Sequence, residues 1–316
     1  MKVWLQDQIT TLTPIVGRLR LFVLWGQSHV MGAGFRSDTG ETDWPQDGRP
    51  VAGCYIWDKY ARLNWNDATL VDANRSGEAH EFKPLTMGFG GEYIVEGTPV
   101  NRYPWESFPE ETTIGPEVQL AYDVRRITGD SVLIVKFAVS GTQVTNQPFA
   151  CWNVAKTGSD SYIETLLDAY WAPALTAAIA MAGGDKSKVV LGGIASMIGF
   201  SDSRYETDAN AYEADYTATI AAIRARIDAD TGGNVPYLVC KTPRYADGSG
   251  NALAYIEQVR ASQEAIGDAI TNGGWIETQG LVDRTTDIHG TGRRNCWLGS
   301  RIARWALQQT PVEVTA

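Results

Sequence analysis

The chain has 316 residues, with 27 Lys plus Arg against 37 Asp plus Glu, a formal net charge of −10. Apolar residues at 44% and charged residues at 20% are those of an ordinary globular protein, so wholesale disorder, collagen and coiled coil are excluded. The acidic balance leaves no basic stripe to track phosphates, which excludes nucleic acid as a partner, and no stretch reaches the ~18 consecutive apolar residues of a membrane span.

The first residues, 1–18, are expected to form an N-terminal arm. Gln6, Asp7 and Gln8 interrupt any apolar run, so this arm does not have the form of a signal peptide. A soluble protein is expected, cytoplasmic or carried outside by another vehicle such as a phage particle. Residues 19–25 then read as a buried strand ending at Gly26. Similar apolar, β-rich runs recur at 131–138, 188–195 and 236–240, with a weaker one at 275–278. Between and after them lie helical patterns at 117–128, 162–181, 209–228, 252–270 and 295–308. Strands apolar on both faces that alternate with amphipathic helices predict an α/β fold: a three-layer α/β/α arrangement on a flavodoxin-like parallel sheet of about five strands. One unit over 19–310 is expected, with 311–316 as a tail.

One segment breaks the rhythm. Residues 34–113 form a long irregular insertion after strand one, rich in Gly, Pro, Asp and Asn, and they hold Trp44, Trp57, Trp65 and Trp105. A minor subdomain is one reading of it. The other gives it a functional role, because it follows the first strand directly and so lies beside the carboxyl edge of the sheet, where such folds bind ligands. The whole chain has 11 Trp and 13 Tyr but only 8 Phe, a surplus of rings with a polar edge that suits either stacking surfaces for sugars or a large core. The four tryptophans of the insertion are assigned to a sugar surface, whereas Trp25, Trp171, Trp297 and Trp305 fall in predicted strands and helices and are assigned to the core.

Three short segments follow three different strands: Gly26-Gln27-Ser28-His29, Ser140-Gly141-Thr142 and Asp287-Ile288-His289. Residues just past the strand ends of a doubly wound sheet converge on one crevice. A serine on a tight turn needs a base to become a nucleophile, and histidine suits that task near neutrality. Of the three histidines, His29 is adjacent to Ser28 and would point elsewhere, His80 lies in the insertion, and His289 is the better partner. The GxSxG elbow is not met, because Val30 stands at the final Gly position. Cys54, Cys151, Cys240 and Cys296 form no CxxC pair, and neither HExxH nor a Walker motif is present. No metal and no cofactor are expected. Asp38, Glu41, Asp43 and Asp47 cluster in the insertion, but their spacing matches no calcium loop and a solvated loop is the simpler reading.

Taken in order, these segments resemble the SGNH hydrolase superfamily, and within it the sialate O-acetylesterase-like carbohydrate esterases. Gly26-Gln27-Ser28 is similar to the GQS nucleophile block, Gly115-Pro116-Glu117 to the GPE that opens the next helix, and 136–142 to the K-x-A-x-G-G-T block. Asp287-Ile288-His289 followed by 298–303 is similar to the terminal D-x-H and L-G-x-R-x-A signature. The resemblance implies a serine esterase that removes O-acetyl groups from a carbohydrate, with an acetylated glycan as its partner. In that scheme Ser28 is the nucleophile, His289 the base and Asp287 the orienting carboxylate, with Asp283 in reserve. The N–H groups of Ser28 and Gly141 form the oxyanion hole. Gln27, His29, Thr142 and the four insertion tryptophans contact substrate.

The chain also departs from the family pattern. Where the W-x-Q-G-E-S-D block places an amide donor, this chain has Ile198, within 196–202. His29 replaces Asn, Ser140 replaces the first Gly of GGT, and Thr286 stands where DxxH would put Asp. Loss of one oxyanion donor typically lowers rates by ~100- to 1,000-fold. Two rivals follow: a weak or inactive member that serves as a carbohydrate-binding module in a larger assembly, and an SGNH lipase or thioesterase.

Overall fold

The computed structural model describes residues 17–31, 34–35, 50–57, 62–63, 70–72, 81–85, 113–139, 141–244, 253–278 and 292–315. Its elements run in chain order as β1 (Leu19–Gly26), α1 (Ser28–Met31), β2 (Gly34–Phe35), β3 (Cys54–Trp57), β4 (Arg62–Leu63), β5 (Leu70–Asp72), β6 (Phe82–Pro84) and β7 (Thr113–Ile114). There follow α2 (Pro116–Thr128), β8 (Ser131–Ala138), α3 (Tyr162–Glu164), a π-helical stretch (Thr165–Trp171) and α4 (Ala172–Met181). The remainder is β9 (Val189–Met197), α5 (Glu206–Thr231), β10 (Tyr237–Cys240), α6 (Ile256–Ala269), β11 (Gly273–Ile276), α7 (Gly292–Ala306) and β12 (Val312–Glu313).

All five expected strands form, as β1, β8, β9, β10 and β11, and they pair in parallel. Their spatial order, β8-β1-β9-β10-β11, is the 2-1-3-4-5 order of a flavodoxin-like sheet. Side chains of β1 alternate between two cores. Leu19, Leu21, Val23 and Trp25 join one cluster, which α4, α5 and α6 cover, while Phe22 and Leu24 join the other, which α2 and α7 cover. Burial on both faces is why these strands read as unbroken apolar runs.

Three features lay beyond the sequence reading. Two short pieces of the insertion extend the sheet, β3 parallel to β8 and β6 antiparallel to β3. The expected tail is a strand: β12 pairs antiparallel with β9, and Val314 is buried beyond it. At two residues it is too short to show a period: Val312 is half-buried and Glu313 exposed, and the burial falls on Val314. Within β9, Gly192-Gly193 carries a bulge where the register with β1 shifts between Leu21 and Phe22. A Cβ on Gly192 would stand 2.3 Å from the Phe22 ring, so glycine there makes room for that ring. The bulge re-phases the strand, and Leu191 and Ile194 consequently face the same core.

The predicted helix 162–181 contains the π-helical stretch. Pro173 has no N–H to give the preceding turn, and the Ala172 N–H reaches back five residues to the Leu167 carbonyl. No helix among the described residues is long and apolar enough to cross a membrane.

Candidate active site

The carboxyl ends of three adjacent strands stop at one level. Gly26 of β1 is in register with Ala138 of β8 on one side and with Met197 of β9 on the other. The ladder continues one step past the ends: Val139 N–H donates to the Gly26 carbonyl at 2.9 Å and Gln27 N–H to the Met197 carbonyl at 3.2 Å. Three chain segments therefore leave the sheet side by side, carrying Ser28, Gly141 and Ile198.

Ser28 is delivered by close packing. Gly26 has φ +146°, and a Cβ there would lie 2.2 Å from the Met197 carbonyl oxygen, so only glycine lets β1 end against β9 in this way. The chain then turns at once into the single turn α1, with Ser28 as its first residue and only 6% exposed.

The segment after β8 is held rigidly. Thr142 Oγ1 donates to the Val139 carbonyl at 2.6 Å and accepts from Trp152 Nε1 at 3.0 Å. Trp152 N–H donates to the Gln143 carbonyl, and Asn153 Nδ2 to the Val144 carbonyl. Gly141 sits at φ +72°, a left-handed conformation that favours glycine, and its N–H donates to nothing among the described residues. The carbonyls of Val139, Gln143 and Val144 are all engaged nearby, so among the described residues Gly141 presents an unclaimed N–H on a braced loop at the sheet edge.

The segment after β9 is equally constrained. The Ile198 carbonyl accepts from Tyr212 Oη at 2.8 Å, Gln263 Nε2 at 2.6 Å and Thr242 Oγ1 at 3.2 Å. Gly199 follows at φ +129°, where a Cβ would lie within 3 Å of Tyr212, Val259 and Gln263. The Ile198 side chain is fully buried in the larger core cluster and has no donor to offer. Four residues on, Asp202 is completely buried. Its Oδ1 accepts from the N–H groups of Val144 and Thr145, each at 3.1 Å, and from Thr145 Oγ1 at 3.0 Å. Burial pushes its carboxyl up to about 7, against the pull of those donors.

Residues 18–308 match the family described as carbohydrate esterase, sialic acid-specific acetylesterase. The chain belongs to this family. Several solved structures share the fold. NanS aligns at 14% identity and a TM-score of 0.57, over 93% of this chain and 98% of its own. A protein from Arabidopsis thaliana aligns at 17% identity and TM-score 0.56, over 92% and 98%. A carbohydrate acetylesterase from Xanthomonas citri aligns at 17% identity and TM-score 0.55, over 90% of this chain and 55% of that longer one. No curated protein sequence matches the chain.

Two motif residues of this carbohydrate esterase meet where sequence spacing could not show it. Glu117, from the Gly-Pro-Glu at the start of α2, and Lys136 of β8 form a buried ion pair, with Nζ 3.0 Å from Oε1. A Cβ on Gly115 would collide with the Glu117 carboxylate, so the glycine makes room for the acid, and Pro116 opens the helix. Burial pushes the Glu117 carboxyl up and the Lys136 amine down, while their mutual attraction opposes both shifts. The pair ties α2 to β8 two residues before that strand ends at Ala138.

Of the expected substrate contacts, Gln27 is 1% exposed. Thr142 is also 1% exposed, and both roles of its hydroxyl are spent on Val139 and Trp152. Its hydroxyl therefore staples the loop. Trp57 is corrected: it is 3% exposed on β3, edge-on to Phe82 at 5.1 Å between ring centroids, and belongs to the core. Of the expected core tryptophans, Trp25 and Trp171 are fully buried, and Trp297 and Trp305 are partly buried against the second cluster. His289, Asp287, Asp283, Ser140, Trp44, Trp65, Trp105 and the acidic cluster at 38–47 lie outside the described residues, as does the His29 side chain.

The described flanks of the His289 segment are firmly anchored. Arg260 Nη2 grips both carboxylate oxygens of Glu277 at 2.7 Å, Arg301 donates to the Glu277 carbonyl, and Thr278 Oγ1 donates to the Lys241 carbonyl at 2.5 Å. Nothing in the 196–202 block of the sequence marks Asp202 as a buried acceptor, because the groups that donate to it, at Val144 and Thr145, lie 58 and 57 residues away.

Proposed function

We propose that this carbohydrate esterase is a serine enzyme that removes O-acetyl groups from a glycan. The observation that carries the reading is the common level of Gly26, Ala138 and Met197, which puts Ser28 beside the loop of Gly141. Ser28 Oγ attacks the acetyl carbonyl carbon while His289 accepts its proton, and Asp287 orients the imidazole. The carbonyl oxygen becomes an oxyanion, and the N–H groups of Ser28 and Gly141 stabilise it. The C–O bond to the sugar then breaks, His289 returns the proton to the departing hydroxyl, and acetyl-Ser28 remains. Water attacks this ester by the same route, releasing acetate and regenerating the serine. The test is hydrolysis of an aryl acetate and of O-acetylated sugars by the wild type and by Ser28→Ala. Loss of at least ~1,000-fold in kcat is expected for the variant. Unchanged turnover would refute the assignment.

One observation favours a second reading, a weakly active or non-catalytic glycan binder. Ile198, buried and apolar, offers no amide donor to an oxyanion. Glycan binding that persists in Ser28→Ala, together with no turnover by the wild type on any acetylated sugar, would decide for it.

A further inference from the structure

We propose that Asp202 is a positioning residue for this reaction: through Val144 and Thr145 it fixes the loop that carries the Gly141 N–H. The inference rests on the reading of Ser28 and Gly141 as nucleophile and oxyanion donor.

Its basis is topological. β8 and β9 flank β1 in the sheet, so a bond from the segment after β9 to the loop after β8 bridges across the end of β1, the strand that delivers Ser28. Asp202 makes that bridge with three hydrogen bonds to one oxygen, at 3.0 to 3.1 Å. Two come from consecutive backbone N–H groups two and three residues past Thr142, whose own hydroxyl is tied back to Val139. The loop is thereby pinned on both sides of its turn, and Gly141 lies at the start of the pinned stretch.

The chemistry of the clamp is costly for structure alone. Asp202 is fully enclosed, and its Oδ2 has no hydrogen-bond partner among the described residues. The titratable groups that act on it or feel it are Cys151, Tyr212 and Tyr216, all raised by burial and so uncharged near neutrality, and no described cation offsets the carboxylate. Burying a carboxyl group with one oxygen left unpaired is unfavourable, so stability alone does not account for it, whereas three bonds converging on its other oxygen hold the loop in place. A stiff hold matters here because Ile198 supplies no side-chain donor. The two backbone N–H groups then carry oxyanion stabilisation by themselves, and a misplacement of about 1 Å can cost ~100-fold in rate.

The test compares wild type, Ser28→Ala, Asp202→Ala, Asp202→Asn and Thr145→Val by aryl acetate kinetics and by inhibition with phenylboronic acid, which forms a tetrahedral adduct on an active serine. Asp202→Ala should lower kcat by roughly 10- to 100-fold with KM nearly unchanged, and should weaken boronate inhibition by a similar factor. Asp202→Asn, which retains an acceptor oxygen, should recover most of both. Thr145→Val removes one donor to Oδ1 and should lower kcat by roughly threefold to tenfold, which keeps the test open if Asp202→Ala does not fold. Folded Asp202→Ala or Thr145→Val with wild-type kcat and boronate affinity would overturn the inference. So would an Asp202→Asn enzyme as impaired as Asp202→Ala. The serine variant separates the two readings: an inactive Ser28→Ala beside an unimpaired Asp202→Ala overturns only the role of Asp202. Undiminished hydrolysis by Ser28→Ala, or none by the wild type, overturns both.

Discussion

Gly26 and Asp202 illustrate the two ways in which single residues shape the site. Gly26 acts by what it lacks, since a methyl group there meets the Met197 carbonyl at 2.2 Å and the backbone holds φ +146°. Gly26→Ala is accordingly expected to cost at least about 2 kcal/mol, readable as a lower midpoint in denaturant unfolding, and to reduce turnover as Ser28 shifts. Asp202 acts by the three hydrogen bonds it accepts, and its ionisation is linked to stability. Its folded carboxyl is raised to about 7, well above an ordinary unfolded aspartate, so its stabilising contribution is full at low pH and is lost as pH rises through that value. Relative to Asp202→Asn, wild type should therefore become progressively less stable between about pH 4 and pH 8 in thermal melts. A constant difference across that range would show that Asp202 does not titrate in this way. The placing of Ser28 and Gly141 just past the ends of β1 and β8 could be read from the sequence, because apolar runs mark where those strands stop. The burial of Trp57 is not legible in the sequence, because a Trp in an irregular segment looks identical whether it faces solvent or the core. The surplus of polar-edged rings has the same lesson. Trp152 donates to Thr142 and Trp171 to Asp230, while Tyr216 and Tyr237 share Ser196, so these four rings serve as hydrogen-bonding groups within the core.

At the scale of elements, long apolar strands and amphipathic helices were legible because burial on both faces of a parallel sheet leaves an unmistakable run of Val, Ile and Leu. Short elements were not. β3, β6 and β12 have four, three and two residues, too few for a period to emerge. The buried pair between α2 and β8 was visible only as two separate motif fragments, since nothing in sequence spacing says that Glu117 and Lys136 meet. It also sets a clear expectation. Lys136→Met leaves a buried, unpaired carboxylate and should destabilise by ~3–5 kcal/mol in denaturant titrations, whereas Lys136→Met with Glu117→Gln should recover much of that loss. Additive losses in the double variant would show that the two side chains do not depend on each other.

Over the whole molecule, the sheet brings the Ser28 turn, the Gly141 loop and the Asp202 segment to one edge because β8 and β9 lie on either side of β1. The chain closes this arrangement from behind: Val312 packs where a Cβ on Gly233 would stand 2.2 Å away, and Val314 N–H donates to the Val189 carbonyl. Removal of residues 310–316 should lower the melting temperature by several degrees through loss of this buried apolar edge, and an unchanged melt would show that β12 is dispensable. The central claim is that Ser28 is the group acylated in the reaction. It is tested most directly by incubating the folded protein with a fluorophosphonate and mapping the adduct by peptide mass spectrometry. A single adduct on Ser28, formed in parallel with loss of aryl acetate hydrolysis, is the predicted result. An adduct on another residue, or full loss of activity with Ser28 unmodified, would contradict it.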